Sequence, residues 1–99
     1  MPKSRTINLR PKADTDLEDI FDYSVPKFGI ARAEQYILDL NESFINLAKE
    51  PHIGKDYAHV RQELMGFPVV SHIVFFKYTN TQLNIIRVLH KSMDYSLHL

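Results

Sequence analysis

The apolar residues of this chain keep a helical spacing up to residue 50 and a strand spacing after residue 63, and that switch of period limits the folds open to it. Ala13, Leu17, Ile20, Phe21 and Ser24 fall at i, i+4, i+7, i+8 and i+11, with Asp14, Asp16, Glu18, Asp19 and Asp22 on the other faces, the pattern of an amphipathic helix. Two starts fit it: a capping box of Thr15 with Glu18, or Pro11 at the first helical position one turn earlier. Either start sets acids at the positive end of the helix dipole. Pro26 biases Val25 away from helical dihedrals, and Gly29 supplies a permissive backbone, so the helix is predicted to end between Ser24 and Lys27. A second stripe of Ala33, Ile37, Leu40, Phe44 and Leu47, reinforced by Tyr36 and Ala48, predicts a helix from Ile30 to Glu50 that Pro51 stops. A connection of about four residues folds the two into an antiparallel hairpin.

Before the helices, residues 5–9 alternate polar and apolar and read as a short strand ended by Pro11. After them, the run 67–78 is apolar on both alternating sets, so it contains a central strand covered on both faces. Gly66 and Pro68 suggest a bend or bulge at its edge. Thr79 to Gln82 reads as a hairpin turn with Asn80 at positive φ. The return strand, Leu83 to His90, sets Leu83, Ile85, Arg87 and Leu89 on one face and Ile86, Val88 and His90 on the other. The order β-α-α-β-β-β gives one α+β domain over residues 1–99, a helical hairpin packed on a small, mostly antiparallel sheet. The far face of that sheet is a partner site, unless Tyr95 to Leu99 fold across it.

Twelve Lys and Arg balance twelve Asp and Glu. The zero is uneven: residues 1–12 sum to +4, residues 13–50 to −6, and residues 51–99 to +2 with all five histidines. Such a balance argues against a protein that grips nucleic acid by charge alone, since each neutralised phosphate needs a Lys or Arg. The absence of Cys excludes disulfides, thiolate catalysis and Cys-based zinc sites and fits a cytoplasmic protein. No run reaches the roughly 18 to 20 apolar residues of a membrane span, and the opening segment lacks a secretory apolar stretch. His52, His59, His72, His90 and His98 have no i, i+4 pair, so no metal is expected, and with three glycines there is no phosphate loop and no cofactor is expected.

What remains is Arg61, His72, Arg87 and His90, on or beside the sheet. Cutting RNA through its 2′-OH needs a base, an acid and a cation for the phosphorane charge, roles that His90, Glu63 and Arg87 could fill. The competing reading makes His72 and His90 partly buried sheet residues with satisfied hydrogen bonds and Arg87 a stem spread over an apolar face. The residues alone leave both open.

The ordered set Ala13, Asp16-Leu17, Ile20, Tyr23, Phe28-Gly29, Ala33, Tyr36, Leu40, Phe44, Leu47, Pro51, Gly54 and Arg61, closing on Arg87-Val88-Leu89-His90 and Met93-Asp94, resembles the ParE toxins of the ParE/RelE superfamily over nearly the whole chain. The resemblance implies the toxin of a type II toxin–antitoxin system, inhibiting DNA gyrase and held silent by a ParD-like antitoxin. One alternative is a ribosome-dependent mRNA endonuclease like RelE or YoeB, with His90, Arg87 and Arg61 catalytic. The other is a non-toxic relative that only binds its antitoxin. Nuclease relatives resemble one another in an Arg-led central strand and a basic total, whereas here the strand reads Ser71-His72-Ile73-Val74-Phe75 and the total is zero. That favours the gyrase branch, with nucleic-acid contact weak or indirect. Arg61, Arg87, His90, Met93 and Asp94 are then the expected target-binding end. Asp14, Glu18, Asp22, Asp39 and Glu42 are expected to attract Lys or Arg on the rim of an amphipathic antitoxin helix.

Overall fold

Pro11 takes the first position of helix α1 (Pro11–Phe28), where a missing N–H is no loss, so the earlier start is the one used. Thr15 therefore lies inside the first turns and its hydroxyl donates to the Pro11 carbonyl at 3.1 Å instead of capping. The helix runs past the expected end to Phe28 with Pro26 inside it. Pro26 sits within the last turn on an exposed face, where it forgoes a single hydrogen bond and water can serve the freed carbonyl. Helix α2 (Ile30–Lys49) follows after Gly29 alone, not after about four residues. Gly29 adopts φ 87°, donates its N–H to Val25 and accepts from the Ala33 N–H, so one residue closes the first helix and opens the second. In the computed structural model, residues 4–99 are described.

Strand β1 (Thr6–Leu9) lies parallel to the last strand of the chain, and the connection between them holds the helical hairpin and the other three strands. A one-turn 3₁₀ helix (Pro51–Ile53) leads into the two-residue strand β2 (Lys55–Asp56), which pairs with β3 (Met65–Val69). The apolar run then turns at Val70–Ser71 into β4 (His72–Tyr78), and β5 (Gln82–His90) returns beside it. The sheet order is β1-β5-β4-β3-β2, so β4 is the central strand, with Ile73 to Phe76 all buried. Two turn expectations fail. Asn80 is not at positive φ, because the Thr79 hydroxyl accepts from the N–H of Thr81 (3.3 Å) and Gln82 (3.0 Å) and holds the turn with ordinary dihedrals. Positive φ falls instead on Glu63 (64°) and on Val70 (51°), and the Val70 turn is gripped by Tyr36, whose hydroxyl donates to Val69 O (2.9 Å) and accepts from Ser71 N–H (3.3 Å).

Gly66 and Pro68 keep regular register with β4, so no bulge forms there. Gly66 is glycine for a different reason: a Cβ would lie 2.6 Å from the Tyr57 ring. The irregularity is opposite, where Phe75 faces Arg87 and Phe76 faces Ile85, leaving Ile86 as an extra residue in β5. That extra residue overturns the expected alternation. Leu83, Ile85 and Val88 pack with the helices on Leu17, Leu40, Phe44 and Phe76, while Ile86 and Leu89 join Leu64, Ile73 and Phe75 on the other face. Tyr95, at the start of a short helix α3 (Tyr95–His98), and Leu99 cover that second cluster together with Tyr57 and Val60. The C-terminal segment thus folds across the far face. Among the described residues, no helix is long and apolar enough to cross a membrane.

Candidate functional site

The bulge in β5 sets Arg87 where α1 crosses the strand. Its Nε and Nη2 each donate to an Asp16 carboxylate oxygen at 2.8 Å, and its Nη1 donates to His98 O at 2.9 Å. Asp16, only 9% exposed, also accepts the Val88 N–H at 2.9 Å. This two-pronged hydrogen bonding raises the Arg87 pKa above its ordinary value. Arg87 therefore ties α1, β5 and α3 together through one guanidinium. Asp16, set among the solvent faces by the periodicity, is in fact an inward residue of α1. The available signal was Arg87 itself, the one Lys or Arg of β5, since a cation in an otherwise apolar strand calls for an anion.

Beside this fork, a cavity of about 440 Å³ is lined by Asp16, Tyr23, His72, His90, Ser92 and Met93 among others. The His72 and His90 rings lie edge to face, 5.3 Å apart. His72 is half-buried with Nδ1 2.6 Å from the Tyr36 hydroxyl, and burial, then the neighbouring His90, lowers its pKa to about 4. It is neutral at physiological pH. His90 is exposed, and its Nδ1 accepts from the Ser92 N–H at 3.1 Å and meets the Ser92 hydroxyl at 2.7 Å. Both histidines have side-chain partners, but His72 alone of the two is partly buried. Asp94 stands apart as the cap of α3, accepting from the Ser96 N–H at 3.1 Å and hydroxyl at 2.7 Å.

Arg61 and Arg87 line a separate groove of about 460 Å³, with Arg10, Lys12 and Lys77. The expected target-binding set is accordingly divided: Arg61 with Arg87, His90 with Met93, and Asp94 by itself. Arg10 and Lys12, from the +4 opening block, and Lys77, from β4, were not singled out by sequence because nothing local brings them together. On the hairpin, an open groove of about 660 Å³ has Leu17, Phe21, Ile37 and Leu38 among its walls and Asp14, Glu18, Asp22 and Glu34 around them. Asp39 lies outside that lining and accepts from Gln35 Nε2 at 3.0 Å, and Glu42 is exposed on α2 away from it.

A family model described as "ParE toxin of type II toxin-antitoxin system, parDE" matches residues 7–95. Toxin ParE1 of Mycobacterium tuberculosis (strain ATCC 25618 / H37Rv) is 32% identical over 92 residues, which span 92% of this chain and 94% of the relative. Toxin ParE1 of Caulobacter vibrioides is 33% identical over 91 residues, with the same two coverages. Among solved structures, a chain of the "Chromosomal ParDE TA system from P. aeruginosa" superposes with TM-score 0.76 at 18% identity, covering 88% of this chain and 96% of that one, a likeness of fold.

Proposed function

Because this chain belongs to the ParE toxin family of type II toxin–antitoxin systems, we propose that it acts in the cytoplasm by binding DNA gyrase and stalling it on DNA, and that a ParD-like antitoxin holds it silent. The observation that carries the choice of gyrase over RNA cleavage is the commitment of Arg87. A phosphorane needs a cation that arrives without a counterion. Arg87, the strand-borne candidate, is already bound to Asp16 through two prongs, and a third N–H, on Nη1, is held by His98 O. Of the other two nuclease candidates, the exposed His90 has its Nδ1 taken by Ser92, and Arg61 donates to Leu99 O in a different groove from His90. A toxin that works by occupying a partner's surface needs none of these groups free.

The antitoxin reading rests on the groove along the hairpin. Its walls are apolar and its rim carries Asp14, Glu18 and Asp22 from successive turns of α1 with Glu34 from α2, whereas Asp39 and Glu42 lie off it. An amphipathic helix with a Lys- or Arg-bearing border fits that chemistry.

The test is a titration of purified protein into gyrase with supercoilable plasmid. Loss of supercoiling with trapped cleavage complexes is expected. Folded protein that produces neither overturns the gyrase reading, and codon-phased cleavage of a message in a translation extract would replace it with the nuclease one.

A further inference from the structure

The groove beside β5 gathers five of the chain's cations, Arg10, Lys12, Arg61, Lys77 and Arg87, and among the described residues no carboxylate side chain lines it. Arg87 is balanced by Asp16, and Arg61 donates to the main-chain oxygen of Leu99 at 3.3 Å. Arg10, Lys12 and Lys77 have no acid within ion-pairing distance among the described residues. The same groove receives the start of α1, an 18-residue helix whose N-cap, Arg10, makes no side-chain capping bond and whose Asp14 faces the hairpin groove instead. A helix start and three uncompensated cations thus converge on one concave surface of a protein with no net charge.

We infer that this groove binds the phosphate backbone of duplex DNA, and that the duplex it meets in the cell is the one held by the poisoned topoisomerase. Helix starts, Lys and Arg are the ordinary partners of backbone phosphates, and they position a protein on DNA without reading its sequence. The lining also argues against single-stranded RNA. Recognition of unpaired bases relies on aromatic side chains on which they stack, and this groove offers Ile86, Pro11 and Leu99 with His98 as its one ring. With three free cations the contact is weak by itself and adds to a protein–protein contact made elsewhere. Only the identity of the DNA's holder rests on the gyrase reading.

The experiment measures fluorescence anisotropy of a short labelled DNA duplex with the full chain, beside single-stranded RNA of the same sequence. Three phosphate contacts give a loss of about 40-fold in affinity between 50 and 200 mM salt, and Lys12→Gln with Lys77→Gln reduces that dependence to about 3- to 4-fold. Arg32→Gln with Lys49→Gln, the same charge change on the hairpin, leaves it unaltered. Arg10→Gln alone removes one contact and covers the case in which the double variant melts early. Absence of duplex binding at low salt, tighter binding of the RNA, or equal losses in the groove and hairpin variants overturns the inference. Gyrase inhibition without duplex binding sinks this proposal and spares the gyrase reading, whereas duplex binding by a protein that leaves gyrase untouched does the reverse.

Discussion

The hairpin groove and the groove beside β5 are built from the same kinds of side chain with opposite sign, and their contrast begins within one turn of helix. Asp14 and Asp16 are two residues apart, which on an α-helix is about 200° of rotation. Asp14 consequently rims the acidic groove while Asp16 turns inward to Arg87, at the back of the basic one. A net charge of zero therefore records two opposed surfaces with a neutralised pair between them. The difference teaches that the same residue type serves recognition or architecture according to whether a partner waits across the fold.

Removing the pair between the two surfaces should have the largest effect. Arg87→Ala or Asp16→Ala strands a nearly buried charge, at side-chain exposures of 16% and 11%, and each variant should lose about 3 kcal/mol or somewhat more, read as a lower urea midpoint. Arg87→Lys retains the charge without the planar fork and should recover only part of the loss. The informative case is Asp16→Leu combined with Arg87→Met, where both charges leave together. A double variant near wild-type stability makes the pair a device for placing α1 on β5, whereas one as weak as the single variants makes it a true source of stability.

Next in size is a dependence on pH that belongs to neither groove but to the cavity beside the fork. His72 faces Tyr36, His90 and Asp16, and its pKa lies at about 4 against 6.5 for an ordinary histidine. As pH falls, the unfolded chain takes up this proton first, so the native state loses stability between pH 6.5 and 4 and nothing further from this group below that. After allowance for partial exposure the loss is about 2 kcal/mol. Urea midpoints at about pH 7.5 and about pH 5 should separate more in the wild type than in His72→Gln, whose amide can still meet Tyr36. An equal separation would show that other groups govern the acid side and that His72 is a bystander.

How much of this was legible in the sequence follows the range of the interactions concerned. The hairpin, the central strand and the α+β class are written in local periodicity and stand as read, but the order β-α-α-β-β-β gains a fourth strand after the helices, β2, and a closing helix, α3. Gly29 as a sole connector, the two-residue β2 and the bulge at Ile86 are not, because they are set by what the neighbouring element pairs with. Leu89 and Val88 exchanged faces for that reason. Asp16 meets Arg87 across 71 positions, and a period analysis sees only that an acid flanks the stripe. The basic groove draws on β1's end, α1's start, the loop after β2, β4 and β5, so Arg61 and Arg87 were visible as odd cations while Arg10, Lys12 and Lys77 had no local mark.

The smallest effect expected is kinetic and lies on the acidic side. If the hairpin groove receives a helix with a basic border, Glu18→Lys with Asp22→Lys should slow association with the antitoxin on the order of tenfold at low salt, because charge complementarity acts mainly on diffusional encounter. Dissociation should change less, since the apolar walls at Leu17, Phe21, Ile37 and Leu38 are untouched. Raising salt should bring the two association rates together as the Debye length shrinks to about 3 Å near 1 M. The matching reversal in the basic groove, Lys12→Glu with Lys77→Glu, should leave antitoxin association unchanged or faster, because it lies on a different surface and lowers the net charge that an approaching basic helix meets. Stopped-flow mixing of both variants with the antitoxin decides it: an acceleration by the basic-groove variant as large as the slowing by the acidic-groove variant would mean that the whole-molecule charge, and not the acidic groove, guides the encounter.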